Sequence, residues 1–252
     1  METSISLYAV FFVTLGLNYF FALSGKGAAA FQMPIFVWLG MPLNSAKSVA
    51  LLANTISLSA VTFDNFKSSR LDLKLGLPII IFSFVFAPVG AYLSSFIDRN
   101  IILWMFALFL IYAGVSVLIP KKANSKSCHD RHPKIVYLSL IGAIAGLVSG
   151  LLAVGGGGVI SALMLLLGCK AKKVTMITAL AVPFASLSGF VTYAIGGHIS
   201  WAILLTVSSA ALIGGYIGNK TAHSFLPDRY IKYTIAILSI VFALKIIYDL
   251  VR

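Results

Sequence analysis

The feature that most constrains this chain is a series of apolar runs, each about as long as a membrane is thick. Crossing the hydrocarbon core takes a helix of about 20 apolar residues. Eight runs approach that length: 5–23, 44–63, 75–97, 100–119, 135–154, 174–196, 199–219 and 230–250. Only 10% of the 252 residues are charged, whereas soluble domains carry about 25%. The sequence therefore predicts an all-α, polytopic integral membrane protein.

Two shorter apolar segments, 28–40 and 157–168, each follow a glycine cluster. The clusters are "SGKG" at 24–27 and "VGGGG" at 154–158. The first is not a phosphate-binding loop, because Gly27 stands where that motif requires Ser or Thr. Irregular backbone at membrane depth is tolerated only where protein or a cavity surrounds it. We therefore predict two half-helices that start at glycine breaks inside the membrane.

Several features of the two halves align when the first half is moved along the sequence by the distance from Gly40 to Gly168, which we call the repeat shift. It places "VWLG", ending at Gly40, on "LLLG", ending at Gly168, and it places Gly90 on Gly218. A common shift near half the chain length indicates a duplication. We predict a first transmembrane repeat over 1–119, a basic linker over 120–134 and a second transmembrane repeat over 135–252.

The basic residues predict how the repeats are oriented. Fourteen of the 19 Lys and Arg residues lie in four segments: 64–74, 120–134, 168–173 and 218–232. Because cytoplasmic loops carry an excess of Lys and Arg, we place these segments in the cytoplasm. The net charge of +12 then indicates membrane orientation, and we expect no nucleic-acid partner. Loop 64–74 and its repeat equivalent near 196–199 fall on opposite sides, so the repeats are predicted to be inverted. Inverted repeats with paired broken helices are typical of secondary transporters.

The glycine breaks are predicted to bind a small anion. The first N–H groups of a helix lack helical partners, and the helix dipole favours negative charge beside them. The alternative is that the glycines serve only helix packing and that the lysine reaches an interface from a simple loop. The residues that we predict to bind substrate at the two breaks are Ser24, Gly25, Lys26, Gly27, Gly155, Gly156, Gly157 and Gly158.

Four residues elsewhere complete the predicted binding set: Gln32, Asn54, Thr178 and Pro183. The amides of Gln32 and Asn54 are costly to bury without a partner. Pro183, in mid-span, should bend its helix and free a carbonyl. The alternative for each residue is a structural contact between helices.

Carboxylates are almost absent from the predicted spans, so the relay of acidic groups that proton-coupled carriers use is missing. Export of an anion needs no such relay, because each charge leaving a negative interior gains about 2.3 kcal/mol per 100 mV. We predict no catalytic residue, because no Gly-x-Ser-Gly turn is present. We also predict no cofactor and no metal site, because Cys128, His129 and His132 are spaced too closely for the usual zinc pattern.

The segment "GLLAVGGGGVISALMLLLGCKAKKVTMITAL", Gly150 to Leu180, resembles the glycine break, half-helix and following helix of the sulfite exporter TauE/SafE family. The first half is less similar, since Lys26 and Ala28 replace two family glycines. The resemblance covers nearly the whole chain. It implies a permease that exports small anions such as sulfite or organosulfonates.

The sequence leaves a passive anion channel of the same architecture as the main alternative to a carrier. The partners expected for either are a small anionic substrate and the lipid bilayer of the cell's inner or plasma membrane. A homodimer is compatible with the sequence, and we expect the protein not to be an enzyme.

Overall fold

The computed structural model describes residues 6–22, 27–67, 73–118, 135–169, 171–196, 199–222 and 228–251. The predicted linker, 120–134, and the site residues Ser24, Gly25 and Lys26 lie outside these ranges. Within the ranges the chain forms ten helices and no strand. The helices are α1 (Leu7–Ala22), α2 (Ala29–Trp38), α3 (Leu43–Lys67), α4 (Leu73–Ser94), α5 (Arg99–Leu118), α6 (Ile135–Leu152), α7 (Gly157–Leu166), α8 (Ala171–Ile195), α9 (Trp201–Ala222) and α10 (Asp228–Val251).

Six of the described helices, α3, α4, α5, α6, α8 and α9, are long and apolar enough to cross a membrane. The two other predicted spans fall on α1, described over 16 residues, and on α10, which is not among the six. Large apolar side chains lie on the outside of the helices, and Phe12, Leu108, Leu140, Leu205 and Leu244 are each more than half exposed. Such a surface suits lipid rather than water. The chain is therefore a multi-pass membrane protein.

The two predicted half-helices are present as α2 and α7. Each has 10 residues, or about 15 Å of helix, which is half the thickness of the hydrocarbon core. Both end in the same way, at a glycine of positive φ: 95° at Gly40 and 80° at Gly168. The next N–H, from Met41 or Cys169, donates back into the last helical turn at 3.0 and 3.1 Å, respectively. Glycine terminates a helix in this manner because it has no Cβ to strain the left-handed conformation.

The helix bounds repeat along the chain. The repeat shift, which carries Gly40 onto Gly168, also carries both ends of α2, α3 and α4 onto those of α7, α8 and α9, respectively. Close contacts repeat in the same way. A Cβ on Gly90 would overlap the carbonyl oxygen of Leu147, and a Cβ on Gly218 would overlap that of Tyr19. The repeat shift relates Gly90 to Gly218 and Tyr19 to Leu147, so the two halves use equivalent residues for equivalent contacts.

The two halves interlock. Helix α4 of the first half packs on α6 and α8 of the second, while α9 of the second half packs on α1 and α3 of the first. The equivalent helices α3 and α8 also pack on each other, and their hydrogen bonds join Thr62 to Ala179, Asn54 to Ser186 and Ser48 to Phe190. Later residues of α3 thus meet earlier residues of α8, so these two helices run antiparallel. The polar residues along their interface position the candidate site.

Candidate functional site

Each half-helix is preceded by a glycine that bends the chain. Gly27, before α2, has a φ of 80°, and Gly155, before α7, has a φ of 76°. The repeat shift relates these two glycines, so they occupy the same position in the two halves. Residues other than glycine rarely adopt this left-handed conformation. The sequence therefore places a glycine where each half must break its helix.

The two breaks meet at the side chain of Asn54, in the middle of α3. A Cβ added to Gly27 would overlap Asn54 Oδ1, and a Cβ added to Gly155 would overlap Asn54 Nδ2. Because one side chain touches both glycines, the two breaks are brought together inside the protein. The amide of Asn54 fills the space between them, and only glycine leaves room for it on either side.

The hydrogen bonding of Asn54 is incomplete. Its side chain is 0% exposed, and Nδ2 donates to the hydroxyl of Ser186 on α8 at 2.9 Å. Oδ1 has no hydrogen-bond partner. Buried polar atoms are nearly always paired, so an orphaned acceptor at the junction of two broken helices marks a place where a ligand could bind.

Gln32, in the first turn of α2, is a second incompletely paired amide. Its side chain is also 0% exposed, and neither Nε2 nor Oε1 has a partner. Leaving a whole amide unpaired in a protein interior is costly. The sequence-based choice of Gln32 and Asn54 thus identified two buried amides whose polar atoms are not all satisfied.

The N-termini of α2 and α7 lack side-chain caps. The residues at the N-cap positions are Ala28 and Gly156, which have no side chain able to accept a hydrogen bond from the first turn. Their carbonyls accept bonds from the N–H groups of Gln32 and Ile160, both at 3.0 Å, so regular helix starts there. The N–H of Phe31 also bonds to the Ala28 carbonyl, at 2.9 Å. The N–H groups before it in α2, and those of the first turn of α7, have no partner within the helix, and the positive ends of two helix dipoles lie at the breaks.

The remaining predicted site residues are distributed along α7 and α8. The Thr178 hydroxyl contacts the hydroxyl of Ser161 at 3.2 Å, and Pro183 lies inside α8, between Thr178 and Ser186. Three further glycines belong to the second break. Gly156 has a φ of 71° and packs against α6, Gly157 is the first residue of α7, and Gly158 faces the ring of Phe109.

The sequence interpretation missed Lys47, which is 0% exposed. This residue lies in the second turn of α3, where its Nζ donates to the hydroxyl of Ser94 at the end of α4. The Tyr193 ring of α8 lies 5.3 Å from Nζ, and the Tyr193 hydroxyl donates to the carbonyl of Gly150 at 2.6 Å. The sequence did contain a signal for Lys47, because this residue precedes Asn54 by seven residues and so shares its face of the helix.

In the ranges that the structure covers, no group of His, Cys, Asp and Glu side chains could hold a metal ion.

A sequence profile of the sulfite exporter TauE/SafE family matches residues 10–246. The chain belongs to the sulfite exporter TauE/SafE family. The match spans both glycine breaks and both halves of the chain, which confirms the resemblance found in the sequence. This TauE/SafE protein is therefore a member of a family of membrane transporters.

Curated relatives of this TauE/SafE protein have similar lengths. "Probable membrane transporter protein YunE" of Bacillus subtilis (strain 168) is 26% identical in an alignment of 202 positions that covers 73% of each chain. "Probable membrane transporter protein MJ0441" of Methanocaldococcus jannaschii is 26% identical in an alignment of 207 positions that covers 77% of each chain. "Probable membrane transporter protein YfcA" of Escherichia coli (strain K12) is 24% identical in an alignment of 260 positions that covers 99% of this chain and 95% of the relative. No solved structure matches the chain.

Proposed function

We propose that this protein is a secondary transporter that exports a small anion, such as sulfite or an organosulfonate, across the plasma membrane. The anion binds where the two glycine breaks meet at Asn54. The observation that carries the proposal is the contact of Gly27 and Gly155, equivalent residues of the two halves, with this one buried and incompletely paired side chain. Transport, and not catalysis, is the activity that such a site in a TauE/SafE protein supports.

The chemistry of the site favours an anion with several oxygens. The first turns of α2 and α7 offer backbone N–H donors, and the amide of Gln32 has unpaired N–H groups. If the Asn54 amide flips end for end, Oδ1 accepts from the Ser186 hydroxyl and Nδ2 faces Gly27. Sulfite and sulfonate oxygens can accept bonds from all of these donors. Fixed donors of this kind replace the hydration shell that the anion loses.

Alternating access follows from the proposed inverted repeats. Equivalent helices α3 and α8 run antiparallel, and each half contributes one break to the site. These observations support two repeats related by an axis in the membrane plane, with eight membrane-crossing helices and two half-helices. Such an arrangement allows one half to rock against the other around a site near the midplane. The helices α1 and α10 provide the seventh and eighth crossings in this proposal.

The proposed direction is export. The described carboxylates of Asp98 and Asp249 are exposed and lie at helix ends, so they do not form a proton relay across the protein. A cell interior that is negative by 100 mV drives each exported anionic charge with about 2.3 kcal/mol. An anion uniporter therefore needs no second ion.

The test is binding and flux of sulfite with purified protein in lipid. Asn54→Leu should abolish saturable binding, whereas Asn44→Leu, the same change at an exposed position of α3, should leave it unchanged. Saturable flux with counterflow would support the carrier, and ohmic single-channel currents would support the passive channel instead. The proposal would be overturned if the wild-type protein bound none of sulfite, sulfate, methanesulfonate and short carboxylates. It would also be overturned if the Asn54→Leu variant bound sulfite as the wild type does.

A further inference from the structure

Lys47 is a cation in the protein interior. Its side chain is fully buried, and the Ser94 hydroxyl accepts one hydrogen bond from Nζ. The ring of Tyr193 lies 5.3 Å away, a distance at which the π-face attracts a positive charge. Tyr193 is held in turn by its bond to the carbonyl of Gly150. Side chains of α3, α4 and α8 thus position the ammonium group.

Among the side chains that the structure describes, none is a counterion for this ammonium group. Within the described part of the chain, no carboxylate lies within ion-pair distance of Nζ. An ammonium group has three donors, and one hydroxyl satisfies only one of them. A buried charge without a partner is strongly unfavourable. Ionisable residues inside a membrane protein are therefore most often functional, with a partner that supplies the missing charge.

Lys47 lies on the same face of the same helix as Asn54. Seven residues separate them, which is about two turns or about 10 Å along α3. Their neighbours on α8, Tyr193 and Ser186, are also seven residues apart. The antiparallel packing of α3 and α8 therefore places two polar contacts two turns apart, with the buried, apolar side chain of Leu51 between them.

We infer that Lys47 is a second binding station for the transported oxyanion. It lies between the glycine breaks and the end of the helix bundle at which α3 starts and α4 ends. This inference rests on the proposed function and adds a residue to it. The ammonium group supplies the formal positive charge that backbone N–H groups and amides lack. To reach Lys47 from the breaks, an anion moves two helical turns along α3, past the side chain of Leu51. Lys47 thereby selects anions over neutral solutes of the same shape.

The rival explanation is that Lys47 only holds α3, α4 and α8 together. The two explanations differ in what Lys47→Met should do. If Lys47 binds the anion, the variant loses affinity, while the ligand-free protein keeps or gains thermal stability because an unpaired buried charge is gone. If Lys47 is structural, the variant loses stability and its affinity is unchanged.

The experiment titrates sulfite into wild type, Lys47→Met, Lys47→Arg and Lys245→Met, each purified in lipid nanodiscs, and records the apparent Tm without ligand. We expect Lys47→Met to bind sulfite at least tenfold more weakly with an unchanged or higher Tm. Lys47→Arg keeps the charge on a larger, planar group, so it should bind sulfite more tightly than Lys47→Met does. Lys245→Met is the matched control, because Lys245 is exposed and its removal takes away one charge and one contact with an aromatic ring, that of Trp38 at 4.4 Å.

Asn54→Leu, measured in parallel, separates failure of this inference from failure of the proposed function. If Asn54→Leu loses sulfite binding and Lys47→Met keeps the wild-type affinity, Lys47 is not a binding station, although the proposed function stands. Equal weakening in Lys47→Met and Lys47→Arg, together with a lower Tm in both, would also overturn the inference in favour of a structural role. A wild-type protein that binds no sulfite would overturn both proposals.

Discussion

Thr62 donates a hydrogen bond of 2.7 Å to the carbonyl oxygen of Ala179. That carbonyl belongs to α8, four residues before Pro183. A proline has no N–H, so the helix provides no donor for the carbonyl four residues earlier. The predicted effect of Pro183, a freed carbonyl, is therefore present, and the neighbouring half of the protein satisfies it. Membrane helices tolerate proline when a neighbouring side chain supplies such a bond.

Replacing Thr62 by Val should destabilise the protein. Val has the shape of Thr without the donor, so the Ala179 carbonyl loses its partner in the interior. We expect a loss of about 1 kcal/mol, seen as a fall of about 2–4 °C in apparent Tm in detergent. In a Pro183→Ala background the new N–H satisfies the carbonyl, and Thr62→Val should then cost little. An equal loss in both backgrounds would show that the bond does not depend on Pro183. Thr206→Val is the control, because the hydrogen bond of the Thr206 hydroxyl is exposed and lies within its own helix.

The glycines of the two breaks should not accept even a methyl group. Gly27→Ala and Gly155→Ala each force a Cβ into the Asn54 amide and require alanine to adopt a positive φ, which costs about 1–2 kcal/mol. We expect each variant to lose sulfite binding, measured by titration. Gly16→Ala is the control, since its Cβ would meet nothing within 4 Å and alanine favours helix over glycine. Equal affinity in all three variants would mean that Asn54 and the breaks do not form the binding site.

The equivalent contacts of Gly90 and Gly218 predict equivalent costs. Replacing either glycine by Ala places a Cβ on a backbone oxygen of a neighbouring helix. A backbone oxygen cannot move away as the end of a flexible side chain can. We expect each change to lower stability by about 1–3 kcal/mol and the two losses to be similar, measured as shifts in apparent Tm. Gly76→Ala, whose Cβ would meet the end of the Leu180 side chain, should cost less. Very different losses for Gly90 and Gly218 would contradict the equivalence of the two halves.

Much of the fold was predictable because a helix that crosses the membrane needs a long apolar run in the sequence. The predicted run 100–119 is α5 at Arg99–Leu118, and the predicted half-helix 157–168 is α7 at Gly157–Leu166. The likeness of the two halves was also predictable, since Gly40 and Gly168 end their half-helices identically. These features depend on hydrophobicity and on glycine, which act locally.

The arrangement of the site was less predictable because its contacts are distant in sequence. Asn54 and Ser186 are 132 residues apart, and only the packing of α3 on α8 joins them. Lys47 was missed because a lysine near the start of an apolar run resembles an interfacial residue. Its burial results from Ser94 and Tyr193, which lie on two other helices.

The proposed inverted arrangement makes a prediction about the two sides of the membrane. Asn44 and Lys172 are related by the repeat shift and lie near the starts of α3 and α8. Because α3 and α8 run antiparallel and the basic segments face the cytoplasm, we expect Asn44 outside and Lys172 inside. In a background in which Cys128 and Cys169 are replaced by Ser, Asn44→Cys should react with a membrane-impermeant maleimide in intact cells. Lys172→Cys should react only after lysis. Labelling of both cysteines from the same side would exclude inverted repeats, and with them the rocking motion that carries an anion past Asn54.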